Sequence, residues 1–256
     1  MHPDRIAELL QPFLASISNP CHSEQGQRPG GACPEPSRRE PAVLSSTQLH
    51  HISTYIDILQ RWNSRINLTA IRSEEEIVTR HFGESFFAAC HLFPDARVGA
   101  APQACPERSR WGCPAERSSV VRLADLGSGA GFPGLPIKLW SPNIALTLIE
   151  SNYKKATFLR EVARALTLTD VNVMDARAES ITKTFDIVTL RAVERFADAL
   201  RAARKLLAPA GRLAILVSSS QLLAAQSTLP DVSWQAPIRI PHSQSRELLM
   251  GQVSSL

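Results

Sequence analysis

The sequence has no apolar run of membrane length: its longest charge-free stretch, Leu213–Pro230, is broken by Ser218, Ser219, Ser220, Gln221 and Gln226. It has no leader pattern either, because Asp4 and Glu8 interrupt an N-terminus that reads as an amphipathic helix. A soluble cytoplasmic protein is therefore the expectation. Cysteine is scarce. Cys21, Cys33, Cys90, Cys105 and Cys113 form no Cys-x-x-Cys pair, and no histidine stands at zinc-finger spacing from two of them. No metal site is expected, and the odd count argues for reduced thiols. A Ser-His-Asp order and a nucleophile elbow are missing too, which leaves hydrolase chemistry without support. The 12 glycines and 18 prolines are too few, among 256 residues that are 44% hydrophobic, for a collagen-like or wholly disordered chain. One or two domains with a sizeable core remain.

What is there is unevenly spread. Residues 1–94 carry 8 arginines against 10 acids, whereas residues 120–256 carry 16 lysines and arginines against 11 acids. The basic half suits a polyanionic partner as well as it suits a merely solvated surface. Two segments, 19–42 and 95–119, are crowded with Pro, Gly, Ser, Arg and Glu and have no helical or strand period. They resemble each other: the seven residues Ala32–Arg38 match Ala104–Arg110 at all but one position. Both read as disordered surface insertions.

Between them the chain is helical. Ile6, Leu9, Leu10, Phe13, Leu14 and Ile17 form one apolar stripe, and Leu49, Ile52, Ile56 and Leu59 form a second that leads to Trp62. Ser73-Glu74-Glu75-Glu76 reads as a capping box opening a third helix through Val78, Phe82, Phe86 and Ala89. From residue 120 the period changes. Short apolar runs at Val120–Leu126, Ile144–Ile149, Val171–Met174, Phe185–Leu190 and Leu213–Val217 alternate with helical stretches, which predicts βαβ units and a mostly parallel sheet. Val232–Ile240 and Glu247–Val253 are expected to close that sheet as an antiparallel hairpin.

The strongest local signal runs from Leu123 to Gly134, Leu-Ala-Asp-Leu-Gly-Ser-Gly-Ala-Gly-Phe-Pro-Gly, after a strand and before a helix. Gly129-x-Gly131-x-x-Gly134 satisfies the dinucleotide fingerprint, whose glycines seat a pyrophosphate. Asp125-x-Gly127-x-Gly129-x-Gly131 satisfies the S-adenosylmethionine pattern, and it fits better. That cofactor has no phosphate but carries an ammonium and a sulfonium, so an acid at Asp125 is favourable. Glu150, at the end of the second strand, stands where ribose hydroxyls are gripped in both cofactor classes. Arg191 falls just past a buried strand, and Ala178-Glu179 follow another, all at the carboxyl edge of the sheet. Trp62 reads as a core anchor rather than a base-stacking platform.

Together these motifs resemble a known family. Trp62-Asn63-x-x-Ile66-Asn67-Leu68-Thr69-Ala70-Ile71-Arg72, Arg80-His81-Phe82-x-x-Ser85, the glycine loop with Phe132-Pro133-Gly134-Leu135-Pro136, and Arg191-Ala192 look like glucose-inhibited division protein B, also called ribosomal RNA small-subunit methyltransferase G. The similarity covers most of residues 44–94 and 120–256. It implies a Rossmann-like class I S-adenosylmethionine-dependent methyltransferase domain over 120–256 behind an N-terminal helical extension over 1–94. It also implies methylation at N7 of a guanine in the 530 loop of 16S rRNA, conventionally position 527. The family's cofactor contacts fall on Gly127, Phe132, Ala178, Glu179 and Arg191, beside Asp125, Gly129 and Glu150 from the residue reading. Asn67, with Arg72 and His81, matches active-site and RNA-side positions, and Arg191 is expected to lie between cofactor and base. Phosphate contacts are expected from Lys138, Lys154, Lys155, Arg160, Arg201 or Arg204. The expected partners are 16S rRNA or the small ribosomal subunit, met by a monomer. The two Cys-Pro-Glu-rich insertions depart from the family pattern. A nicotinamide-dependent oxidoreductase and a non-catalytic rRNA-binding protein stay open as alternatives.

Overall fold

The computed structural model describes residues 1–14, 43–94 and 120–253. The two expected insertions, Ile17, and all the cysteines but Cys90 lie outside the described residues. Helix α1 (Pro3–Leu14) and helix α2 (Ser46–Asn63) are followed by one continuous helical stretch. That stretch starts as α3 (Glu74–Glu76), loosens into a π-helical segment (Ile77–Gly83) and ends as α4 (Glu84–Leu92). The capping box expected at Ser73 is not formed, because the Ser73 side chain makes no cap bond. One stands instead at α2, where Ser45 Oγ accepts from the Gln48 amide and Gln48 Oε1 accepts from the Ser45 amide. Gln48 also donates to the Leu139 carbonyl, so the cap ties α2 to the next layer.

The sheet is made of β1 (Arg122–Leu126), β2 (Ala145–Ile149), β3 (Val171–Met174), β4 (Phe185–Arg191), β5 (Leu207–Ser218), β6 (Val232–Trp234), β7 (Ile238–Arg239) and β8 (Arg246–Val253). Its order is β3-β2-β1-β4-β5-β8-β6, with β7 also on β8. The first five strands are parallel, and β8 runs antiparallel to β5. The two late runs do close the sheet as an antiparallel hairpin, and its second strand is the inner one. β8 inserts between β5 and the β6–β7 segment, and β6 and β7 pair with successive parts of its outer edge. β5 also starts six residues before the expected run, at Leu207.

Helices α5 (Gly134–Trp140) and α6 (Tyr153–Ala165) cover one face, and α7 (Phe196–Leu206) with α8 (Leu222–Thr228) covers the other. The N-terminal helices join the first face. Phe13, Tyr55, Phe82 and Phe86 are buried in the same apolar cluster as Leu135, Phe158 and Leu159. Trp62 packs edge-on against Phe158 and donates to Glu161 Oε2 at 2.9 Å, an anchor on α6. Strand order reverses between β1 and β4, the switch point where open α/β sheets bind ligands beyond their carboxyl ends. Among the described residues no helix is long and apolar enough to cross a membrane.

Candidate active site

The loop after β1 explains its own glycines. Gly127, Gly129 and Gly131 adopt φ of +69°, +53° and +86°, a left-handed backbone that costs residues with a side chain about 1–2 kcal/mol each. Gly134 serves packing instead, since a Cβ there would lie 2.7 Å from Leu148 Cδ2 and 2.8 Å from Asp125 Cβ. The loop amides are mostly committed. Gly127 and Ser128 donate to the Ile149 carbonyl, Gly131 to Ser128. Gly129 donates to Glu150 Oε2 at 2.9 Å and Gly134 to Asp125 Oδ2 at 3.3 Å. A pyrophosphate needs such amides free. A cationic, phosphate-free nucleoside does not, so the committed amides of the loop fit S-adenosylmethionine better than a dinucleotide.

Beyond the loop lies a cavity of about 800 Å³, within the usual size of small-ligand sites. Gly127, Gly129, Phe132, Glu150, Ala178, Glu179 and Arg191 all line it, as do Thr69, Arg80 and His81 from the N-terminal region. Glu150 accepts from the Gly129 amide on one oxygen and from the Asn152 amide on the other, at 2.9 and 2.8 Å. Each oxygen keeps a second lone pair for a ribose hydroxyl. Asp125 does not reach the cavity wall. Its carboxylate is 1% exposed and accepts from Thr189 Oγ1 (2.8 Å) and the Gly134 amide, so it shapes the loop from beneath. Burial pushes its pKa up to about 6, against the pull of those hydrogen bonds.

Arg191 lines the cavity as expected, but four of its five N–H donors are bonded within the protein, which leaves one on Nη1. Nε and Nη2 donate to Glu84 Oε2 at 3.2 and 2.9 Å, Nη2 also to the Arg80 carbonyl, and Nη1 to His81 Nδ1 at 2.7 Å. The same Glu84 oxygen takes Arg246 Nη1 at 2.8 Å. Glu84 was missed by sequence reasoning, although a carboxylate opening the apolar run of α4 was the available signal. His81 stacks on Phe132 with centroids 4.6 Å apart and 17° between planes. Its Nε2 meets Thr69 Oγ1 at 2.8 Å. Burial, then Arg191, Arg246 and Arg80, hold its pKa down to about 2, so the ring is neutral.

Phe132 is gripped from the N-terminal side. Tyr55 stacks on it at 5.3 Å, Phe82 meets it edge-on at 5.1 Å, and the Tyr55 hydroxyl donates to the Ala130 carbonyl. Asn67 is exposed and outside the cavity wall, so it does not join His81. Its neighbour Asn63, another residue not foreseen as part of the site, is buried. It accepts from the Leu68 and Thr69 amides and donates to the Thr69 carbonyl. Arg72 donates to the Asn63 carbonyl at 3.2 Å. Of the expected phosphate contacts, Lys138 is excluded. It is 2% exposed and donates to the Pro142 and Ile144 carbonyls. Arg201 and Arg204 pair with Asp198 and Asp231, and Arg160 reaches the Val173 carbonyl. Lys155 lines the cavity and Lys154 is exposed beside it.

A parallel sheet with this switch point, an antiparallel strand inserted beside β5, and a glycine loop closed by carboxylates define a class I S-adenosylmethionine-dependent methyltransferase. The family model for rRNA small subunit methyltransferase G matches residues 48–98 and 113–245. The chain belongs to that family. Similar relatives are the "Ribosomal RNA small subunit methyltransferase G" of Roseiflexus castenholzii, 34% identical over 81% of this chain and 84% of the relative, and that of Chloroflexus aggregans, 35% identical over 81% and 82%. The protein of the same name from an Exiguobacterium species is 37% identical over 63% of this chain and 60% of its own length. Membership of a methyltransferase family overturns the oxidoreductase alternative.

Proposed function

We propose that this chain, acting as a cytoplasmic monomer, methylates N7 of the 530-loop guanine of 16S rRNA, in the free RNA or in the small subunit. Residues 120–256 hold the cofactor, and residues 1–94 supply the substrate side of the cavity. Gly127, Gly129, Phe132, Ala178 and Glu179 contact S-adenosylmethionine, with Glu150 on the ribose. When bound, that cofactor supplies an electrophilic sulfonium methyl group.

One observation carries the reading: the imidazole of the cavity is disabled as a base, its Nδ1 lone pair held by Arg191 and its ring kept neutral. Guanine N7 has a free in-plane lone pair and loses no proton when it attacks, so a general base is unnecessary. What the residues must do is orient, and orientation alone supplies up to roughly 7–11 kcal/mol in well-aligned reactions. Arg191 and His81 act here as positioning groups: the first fixes the second, and the second stacks on Phe132 at the mouth of the glycine loop. Lys154 and Lys155 stand where backbone phosphates can be met.

The test incubates the purified chain with S-adenosylmethionine and small subunits lacking the modification, digests the RNA and reads 7-methylguanosine by mass spectrometry. One methyl at the 530-loop guanine is expected. RNA binding with no methylated product would return the non-catalytic reading, and a methyl on another atom or site would overturn the N7 assignment.

A further inference from the structure

The hydrogen-bond chain Glu84–Arg191–His81–Thr69 has a fixed direction, and the direction has a consequence for the substrate. Arginine has donors only, so at the 2.7 Å contact His81 Nδ1 is the acceptor. The neutral ring therefore carries its proton on Nε2, and Nε2 donates to Thr69 Oγ1 at 2.8 Å. The Ile71 amide donates to the same oxygen at 3.1 Å. A hydroxyl has two acceptor lone pairs and one proton. Both acceptor places on Thr69 are taken from within the protein, and only the donor remains. No acceptor for that proton stands among the described residues, and Thr69 lines the cavity. The Asn63 side chain bonds both the amide and the carbonyl of Thr69, so the backbone cannot turn the hydroxyl away.

We propose that the Thr69 hydroxyl, an obligate donor, reads O6 of the target guanine and selects guanine over adenine. The two purines share the acceptor N7, but beside it guanine offers the O6 acceptor where adenine offers an N6 amino donor. An amino group set against a hydroxyl whose acceptor places are full brings two donors face to face, which is penalised more than a missing contact. The inference rests on the N7 reading above and deepens it.

The test compares the wild-type chain with Thr69→Val and Thr69→Ser. Calorimetry reads S-adenosylmethionine affinity, and single-turnover methylation is measured on small subunits carrying guanine or adenine at the target position. Thr69→Val is expected to keep cofactor affinity within about twofold, to lose about ten- to a hundredfold in rate on guanine, and to narrow the guanine-over-adenine preference at least tenfold; Thr69→Ser restores both. Cofactor affinity serves as the check that Thr69→Val is folded. If instead Thr69→Val weakens cofactor binding tenfold and leaves base preference unchanged, the hydroxyl serves the cofactor and the inference is wrong. It is equally wrong if Thr69→Val keeps wild-type rate and preference. Absence of N7 methylation by the wild-type chain itself would remove the underlying reading, and the inference with it.

Discussion

Replacing Glu84 should cost more than any other single polar change at the site. Its carboxylate is 3% exposed, and one oxygen receives three N–H groups from two arginines. The Arg191 side chain is only 7% exposed, and burial already pulls its pKa downward against the support of Glu84. Glu84→Leu would leave that guanidinium buried without a counter-charge, a situation that costs about 3–5 kcal/mol. For a chain of this size each kcal/mol moves Tm by roughly 2–4 °C, so a fall of about 6–20 °C is expected. The pair itself is a different matter. Exchanging both partners for apolar groups is often neutral or stabilising, so Glu84→Leu with Arg191→Met should recover at least about 1 kcal/mol relative to Glu84→Leu alone. Urea denaturation with an unchanged m-value measures both. A Glu84→Leu protein within about 1 kcal/mol of wild type, or a double variant no more stable than the single, would refute the claim that Glu84 holds a buried charge.

Three further outcomes follow from the geometry. Gly129→Ala, where the nearest atom to a Cβ is 3.7 Å away, should cost only about 1–2 kcal/mol of backbone strain. Gly134→Ala should cost more, because its Cβ meets Asp125 and Leu148; thermal melts rank them. Asp125 titrates near 6 when folded against an ordinary 3.8, so the native state binds a proton between these values that the unfolded chain lacks. Stability therefore falls by about 3 kcal/mol as pH rises through that window, and Asp125→Asn should flatten this limb in melts taken from pH 4 to 7. Lys154→Ala and Lys155→Ala should each lower the slope of log affinity for rRNA against log salt by about 1, with cofactor affinity held; an unchanged slope removes that lysine from the RNA face.

Much of the sheet was legible because buried parallel strands are short apolar runs between turns, and β2, β3 and β4 fall within a residue of their expected limits. The glycine loop was legible because left-handed backbone leaves a glycine signature at alternate positions. Burial of charge was not legible. Asp125 and Lys138 have the composition of ligand-binding residues, yet each is turned into the protein to hold backbone groups. The network on Glu84 joins residues 107 and 162 positions apart, a distance at which one sequence carries no pairing signal. In the Trp62–Arg72 motif the residue pattern does not show which side chains turn inward. Asn67 faces solvent, while Asn63 clamps the loop and Thr69 reaches the cavity, because the tight turn after α2 sets which side chains point inward.

A histidine facing a reaction cavity invites assignment as a proton carrier, and its surroundings argue against that. With a pKa held down to about 2, His81 has almost no imidazolium at neutral pH, and its free lone pair is already bonded to Arg191. The sign is that of a depressed base: its contribution to stability is present above the unfolded pKa of about 6.5 and is lost as pH falls towards 2. The His81 ring stays neutral from about pH 7.5 to 9. Asp125, with a pKa of about 6, is almost fully ionised across the same range. Methyl transfer in the preformed complex should therefore be flat from about pH 7.5 to 9 in single-turnover measurements. A rate that rises tenfold per pH unit would require a titrating base at the reacting atom, and with it a nucleophile that must lose a proton, which guanine N7 is not.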